Sequence, residues 1–327
     1  MKLSVLDLSP VGTGVSPSQA IRDSIALART ADALGYTRYW FAEHHNMANI
    51  ATSAPEVLIA HAAAVTTRIR LGAGGMMIPN HAPLHVIEAF RTLEALAPGR
   101  IDLGLGRAPG TDPVASSALR RSDREVNHQL VELLAFEHGE FQPSHPFAKI
   151  IPMPSDVSAG VIWMLGSTLA GAAIAAQLGI PYAFAGHFAM SHAVQAISHY
   201  RTLYQPSRAH PTPYAMLAVT CVCAPTTDEA ERLAAPLRLA IVRNRTGQRG
   251  PIPTVEEALA YEMTPDERLI ADEFFTGAVI GDPAQVVAGL TALARDAKAD
   301  ELMLSTLLPS LADRTRSLEL IAKTLPG

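Results

Sequence analysis

The chain repeats one alternation along almost its whole length: a short apolar run of the kind a fully buried strand presents, then a segment of helical period. Residues 3–8 lead into a helix over 17–34 that Gly35 closes, 39–42 lead into 54–65, and 69–78 lead into 83–96, with Pro83 suited to a first helical turn. The run 101–105 precedes a long loop and a helix around 117–136, 161–165 precede 169–178, 182–185 precede a helix from about 190 to 204, and 214–222 precede 228–242. The last run, 301–306, precedes 311–325. Eight such units in 327 residues predict one α/β domain over 1–327, a (β/α)8 TIM barrel whose parallel strands are buried on both faces. A doubly wound open sheet is the alternative architecture. Two stretches stand outside the alternation. The Pro-rich interval 142–154 has no apolar periodicity. The segment 244–282, carrying Gly247, Gly250, Pro251 and Pro253, is an insertion before the last strand that we expect to act as a lid over the rim.

The charge balance narrows the partners. Twenty-six basic against thirty-one acidic side chains give a net charge of −5 with no Lys/Arg block, which argues against nucleic acid or an anionic membrane and for a small molecule. No run approaches the roughly 18 to 20 apolar residues of a membrane span, and the apolar start is too short for a signal peptide, so a cytoplasmic location is expected. Cys221 and Cys223, the two cysteines, alternate along one strand and read as core residues rather than a disulfide or a metal pair.

In a barrel, residues just past the carboxyl ends of the strands gather at one rim, where barrel active sites lie. Glu43, His44 and His45 follow the second strand, Gly74 and Gly75 end the third, Gly106 and Arg107 follow the fourth, and Gly166, Ser167 and Thr168 follow the fifth. A carboxylate beside two imidazoles suits proton transfer, although a hydrogen-bonded structural role is as common for such groups. The segment 104–110 resembles a dinucleotide loop only superficially, because Pro109 and a delayed helix do not make a tight turn opening directly into one. What remains is an arginine among glycines that leave room for a ligand; a plain surface arginine is the alternative. Ser167 or Thr168 can cap the following helix, whose free N–H groups face an anion, so Arg107 and this helix start can converge on one phosphate from neighbouring strands. A metal site is not expected. Pro83 puts His81 outside the helix that holds His85, and the place after the first strand where metal-dependent barrel hydrolases usually carry a His-x-His pair is Ser9-Pro10.

Several segments in order, W-F-A-E-H-H, L-G-A-G-G-M-M-I-P-N-H-A-P, L-E-A-L-A-P-G-R-I-D-L-G-L-G-R-A-P-G-T-D, and L-G-S-T before A-A-x-L-G-I-P-Y, resemble the bacterial luciferase-like, flavin-dependent monooxygenases from the first strand to the last helix. The resemblance implies a (β/α)8 barrel that binds reduced FMN, supplied by a separate flavin reductase, and uses O2 to insert one oxygen atom into a small, mainly apolar organic substrate. A deazaflavin-dependent oxidoreductase on the same barrel and a non-catalytic flavin-binding protein are the alternatives. It further implies that Arg107 with Gly166, Ser167 and Thr168 holds the cofactor phosphate, that His44 acts in the chemistry with Glu43 either orienting it or accepting backbone hydrogen bonds, and that Gly74, Gly75 and Met76 lie against the flavin ring. A cis peptide at Gly74–Gly75 and a homodimer through the second and third helices follow by the same resemblance. The reactive cysteine of the luciferases is Gly106 here, and residues 108–112 also differ from theirs. Those differences detach the luciferases' aldehyde pocket and light emission from the expectation. Leu8, Phe41, Met76 and Met77 would line an apolar substrate pocket.

Overall fold

The computed structural model describes residues 1–108, 110–120 and 125–325; Pro109 and part of the helix expected around 117–136 lie outside them. Among the described residues nine strands form, all parallel to their neighbours: β1 (Lys2–Asp7), β2 (Arg38–Phe41), β3 (Arg70–Met77), β4 (Ile101–Gly106), β5 (Val161–Gly166), β6 (Tyr182–Phe184), β7 (Ala215–Cys223), β8 (Val279–Gly281) and β9 (Glu301–Ser305). β1 to β7 pair in sequence, β7 pairs with β9, and β9 pairs with β1, which closes an eight-stranded barrel. β8 pairs only with the far end of β7 and is an addition to the barrel, not a stave of it.

The period of two along each strand sorts the core into an inner and an outer layer. Tyr39 and Phe41 point outward into the large cluster between strands and helices, whereas Trp40 and Ala42 point inward with Leu6, Trp163, Met216 and Met303. The amino-terminal end of the interior is filled with paired charge. Arg38 Nη1 meets Asp102 at 2.8 Å and its Nε meets Glu301 at 3.0 Å, Arg70 Nη2 meets Asp102 at 2.6 Å, and Tyr214 donates to Glu301 at 2.7 Å. Such groups are tolerated inside because nearly every lone pair and N–H has a partner. Above them Trp40 and Trp163 meet edge to face, 5.2 Å between ring centres, and Trp40 Nε1 donates to Asp102 at 3.0 Å. At the carboxyl end the inward residues shrink to Gly74, Gly104, Gly106, Ala183 and Ala218, so the interior opens there.

The helices are α1 (Pro17–Leu34), α2 (Pro55–Val65), α3 (Pro83–Leu96), α4 (Pro113–Ala118), α5 (Val126–His138), α6 (Leu169–Leu178), α7 (Gly186–Ala189), α8 (Ala193–Leu203), α9 (Thr227–Arg245), α10 (Val255–Ala260), α11 (Pro265–Phe274), α12 (Pro283–Ala297) and α13 (Leu311–Thr324). The helix expected around 117–136 is divided between α4 and α5. α13 is tied to the first strand where Arg314 Nη1 meets Asp7 at 3.1 Å, beside the Tyr39 hydroxyl that donates to the same carboxylate. Within β3 the register against β4 shifts between Gly74 and Met76, and the Gly74–Gly75 peptide is cis, as is Met153–Pro154.

The segment 244–282 is itself folded. Thr254 with Glu257 and Thr264 with Glu267 form reciprocal capping boxes that start α10 and α11. Ile252 exchanges backbone hydrogen bonds with Val11 and Thr13 in the loop after β1, both at 2.8 Å, and Arg249 pairs with Asp112 at 3.1 Å. Both cysteines are buried and unbridged among outward-facing core residues, with burial pushing the thiol pKa values up. Among the described residues no helix is long and apolar enough to cross a membrane.

Candidate active site

A cavity of about 720 Å³ occupies the carboxyl end of the barrel, a size suited to a small organic ligand. Its floor is apolar, formed by Leu6, Leu8, Trp40, Met216 and Met303, and its polar groups stand at the mouth.

One side of the mouth is built for an anion. Thr168, in extended conformation at the start of α6, accepts from the Gly171 N–H at 3.4 Å, and Gly166 and Ser167 line the cavity beside it. The Arg107 guanidinium reaches the same turn: a Cβ built on Gly171 would lie 3.6 Å from Arg107 Nη2 and 3.8 Å from the Tyr182 hydroxyl. Among the described residues no carboxylate pairs with Arg107. An unpaired guanidinium, the first turn of a helix and a wall containing Gly74, Gly106 and Gly166 fit a phosphate-bearing ligand with a flat ring.

The other side carries His44. Its backbone N–H donates to Thr52 at 2.9 Å, and its Nδ1 lies 3.3 Å from the Gly110 carbonyl. Gly110 has φ +62, and a Cβ there would come within 2.9 Å of the Glu43 carbonyl oxygen, so a side chain is excluded. Burial lowers the His44 pKa, more than the Gly110 contact and the Glu43 charge raise it. The neutral ring therefore gives its Nδ1 proton to Gly110 and keeps a lone pair on Nε2.

Glu43 does not share this cavity. Side chains alternate past the end of β2, and the carboxylate turns away from His44 into the protein, where it is fully buried. It accepts from the Met77 N–H at 2.8 Å, Asn80 Nδ2 at 3.0 Å, and His81 Nε2 and His45 Nε2, each at 2.9 Å. Burial raises its pKa, yet these donors, His81 first, bring it below the ordinary value; the pairing raises His81 in return, against the effect of burial. His81, considered above as a metal ligand, and His45 thus serve one carboxylate, and among the described residues no group of side chains is arranged to hold a metal ion.

The remaining expectations divide by strand face. Gly74 and Met77 line the cavity, as does Leu8. Gly75 packs against β4, where a Cβ would lie 2.6 Å from the Gly104 carbonyl oxygen, and Met76 is buried among outward core residues, because the irregularity in β3 shifts the side-chain phase. Phe41 faces outward by simple alternation. The structure adds polar cavity residues absent from the sequence-based expectations, Glu125 and Asn127 at the start of α5 and His187 in α7, whose Nδ1 is shut off from solvent without a hydrogen-bond partner and whose pKa burial pushes down to about 4, helped by His44.

Comparison with known proteins places this geometry. The family model described as luciferase-like monooxygenase matches residues 1–301. The luciferase-like monooxygenase of Escherichia coli (strain K12) is 40% identical over 321 residues, covering 97% of this chain and 95% of that protein. The crystal structure of apo-MsnO8 is 37% identical with a TM-score of 0.91, over 99% of this chain and 97% of that one. The oxygenating constituent of 3,6-diketocamphane monooxygenase from Pseudomonas putida, a type II Baeyer-Villiger monooxygenase solved in complex with FMN, shares the fold at 21% identity with a TM-score of 0.73, over 99% of this chain and 97% of that one.

Proposed function

The chain belongs to the luciferase-like monooxygenase family, and from that premise we propose that it is a monooxygenase that binds reduced FMN and uses O2 to place one oxygen atom on a small, mainly apolar organic substrate. The observation that carries the proposal is the unpaired Arg107 beside the start of α6, facing a glycine-walled cavity whose opposite side holds a neutral imidazole.

Arg107, the Thr168 turn and the first N–H groups of α6 would hold the phosphate. Bound reduced FMN supplies the two electrons with which O2 is activated. His44 is placed to accept and return a proton at Nε2, since its Nδ1 proton is committed to Gly110. Glu43 acts at one remove: by accepting from the Met77 N–H, His45 and His81 it fixes the loop in which His44 sits. The apolar floor keeps water from the reacting end.

The segment 244–282, held to the loops after β1 and β4, serves as a cover that limits wasteful release of hydrogen peroxide. Reduced flavin would be supplied by a separate flavin reductase. Exposed Val57 and Val65 on α2 and Leu96 on α3 support a homodimer through that face, and a monomer by light scattering at micromolar concentration would exclude it.

The functional test is isotopic. Reduced FMN, ¹⁸O₂ and a panel of apolar ketones, sulfides and alkanes should yield a product carrying one ¹⁸O atom, dependent on both flavin and protein. Tight binding of a deazaflavin with no incorporation from any substrate would replace this reading with that of a deazaflavin oxidoreductase.

A further inference from the structure

Met77 puts a thioether among the glycines at the carboxyl end of the barrel. The irregularity in β3 leaves Met76 among the outward core residues and Met77 on the inner side, where it lines the cavity and stays partly exposed. Its sulfur stands where a side chain at 106 would begin. A Cβ on Gly106 would lie 2.7 Å from Met77 Sδ and 3.1 Å from its Cε, and a Cβ on Gly110 would lie 3.0 Å from its Cγ. Gly110 is also the residue whose carbonyl meets His44 Nδ1, so the sulfur and the proton-accepting imidazole share one corner of the cavity.

The other methionines provide a scale of access. Met216 and Met303 lie in the cavity floor at 0% and 2% exposed, and Met76 is 2% exposed behind β3. Met153, by contrast, is 58% exposed on the outer surface beside α3, to which its N–H is bonded through Glu88. Packing alone accounts for the three buried ones, since a thioether fills irregular gaps. Met77 differs in facing the space where the proposed reaction activates O2.

We propose that Met77 is a self-oxidation site: when no organic substrate fills the cavity, its sulfur takes the oxygen atom and becomes a sulfoxide. This rests on the flavin-dependent monooxygenase reading above. The oxidant is a hydroperoxide, the class of compound that O2 forms with the two electrons of reduced flavin. A sulfur lone pair attacks the outer oxygen, the S–O bond forms as the O–O bond breaks, and the remaining oxygen leaves with the proton as a hydroxyl group. Sulfur is thereby oxidised by two electrons and the hydroperoxide reduced by two. The product is a polar group in a corner too tight for a Cβ on Gly106 or Gly110.

The test maps sulfoxides in the whole protein after two treatments. In one, the parent consumes O2 with reduced FMN and no organic substrate, with catalase in solution to destroy any hydrogen peroxide that escapes. In the other, the flavin-free parent receives hydrogen peroxide alone. Tandem mass spectrometry of the tryptic peptide 71–91 distinguishes Met77 from Met76. With reduced FMN, the sulfoxide fraction at Met77 should exceed that at Met153 by at least about tenfold and Met76 should stay unmodified; with hydrogen peroxide alone Met153 should lead. Equal oxidation of Met77 and Met153 in the flavin arm overturns the inference, as does a lead for Met77 in the peroxide arm, which would reflect intrinsic reactivity. Reduced-FMN binding is measured in parallel. A parent that binds reduced FMN and leaves Met77 intact refutes the inference and spares the functional reading, whereas a parent that does not bind it refutes both.

Discussion

Glu43 and His44 are adjacent in sequence, yet the backbone sends one into the protein and the other into the cavity. The chemistry of the pair was legible from residue type; its division of labour was not, because the direction of a side chain past a strand end depends on the loops it meets. His81, some forty residues away, becomes a partner of Glu43 only through the short turn after β3. That pairing makes a signed prediction. The His81 pKa is raised above its ordinary 6.5, so the contribution of the pair is fully present below that value and lost as pH rises through the folded pKa. Glu43 is lowered below 4.5, so on the acid side the contribution holds above 4.5 and fades as pH falls through the folded carboxylate value. His81→Gln should therefore destabilise by about 1–2 kcal/mol near pH 5–6 and by less toward pH 8, read from urea midpoints across pH. A difference that stays flat from pH 5 to 8 would mean that His81 is uncharged in the fold. His44 has the opposite sign: burial disfavours its charged form, so its protonation weakens the fold as pH drops below 6.5.

At the scale of elements, the strands announced themselves and the irregular parts did not. Each barrel strand from β1 to β7, with β9, lies where an apolar run predicted it, since a strand buried on both faces leaves an unmistakable pattern. α7 is four residues long, too short to show a periodicity that would mark His187 in the sequence. The insertion carries its own signal, for T-V-E-E at 254–257 and T-P-D-E at 264–267 are capping-box sequences that predict helix starts, although Gly247, Gly250 and the nearby prolines are turn signals beside them. Two substitutions separate its anchoring from its proposed role as a cover. Ile252 is 3% exposed, and Ile252→Ala should cost about 2–4 kcal/mol by creating a cavity. Arg249 is largely solvent-exposed, so Arg249→Ala should change stability by less than about 1 kcal/mol. If the segment covers the rim, that second variant should still release more hydrogen peroxide per product formed; unchanged coupling would remove the cover from the account.

Over the whole molecule, the barrel is graded along its axis: paired charges at the amino end, two tryptophans in the middle, glycine and alanine at the carboxyl end. That gradient places the opening where the loops carry Arg107, Thr168, His44 and His187. The barrel and the approach of Arg107 to the start of α6 were legible because a period of two and a helix start leave local marks, whereas the imidazole pair across the mouth exists only once the ring has closed. The central claim is that this opening binds a phosphorylated flavin through Arg107, and one titration tests it. Reduced FMN and reduced riboflavin are titrated anaerobically into the parent and Arg107→Ala. Loss of a hydrogen bond to a charged group, worth about 1.5–3 kcal/mol, should weaken FMN by about 10- to 150-fold and leave riboflavin, which lacks the phosphate, unchanged. Equal weakening of both flavins, or no weakening of either, would contradict the account.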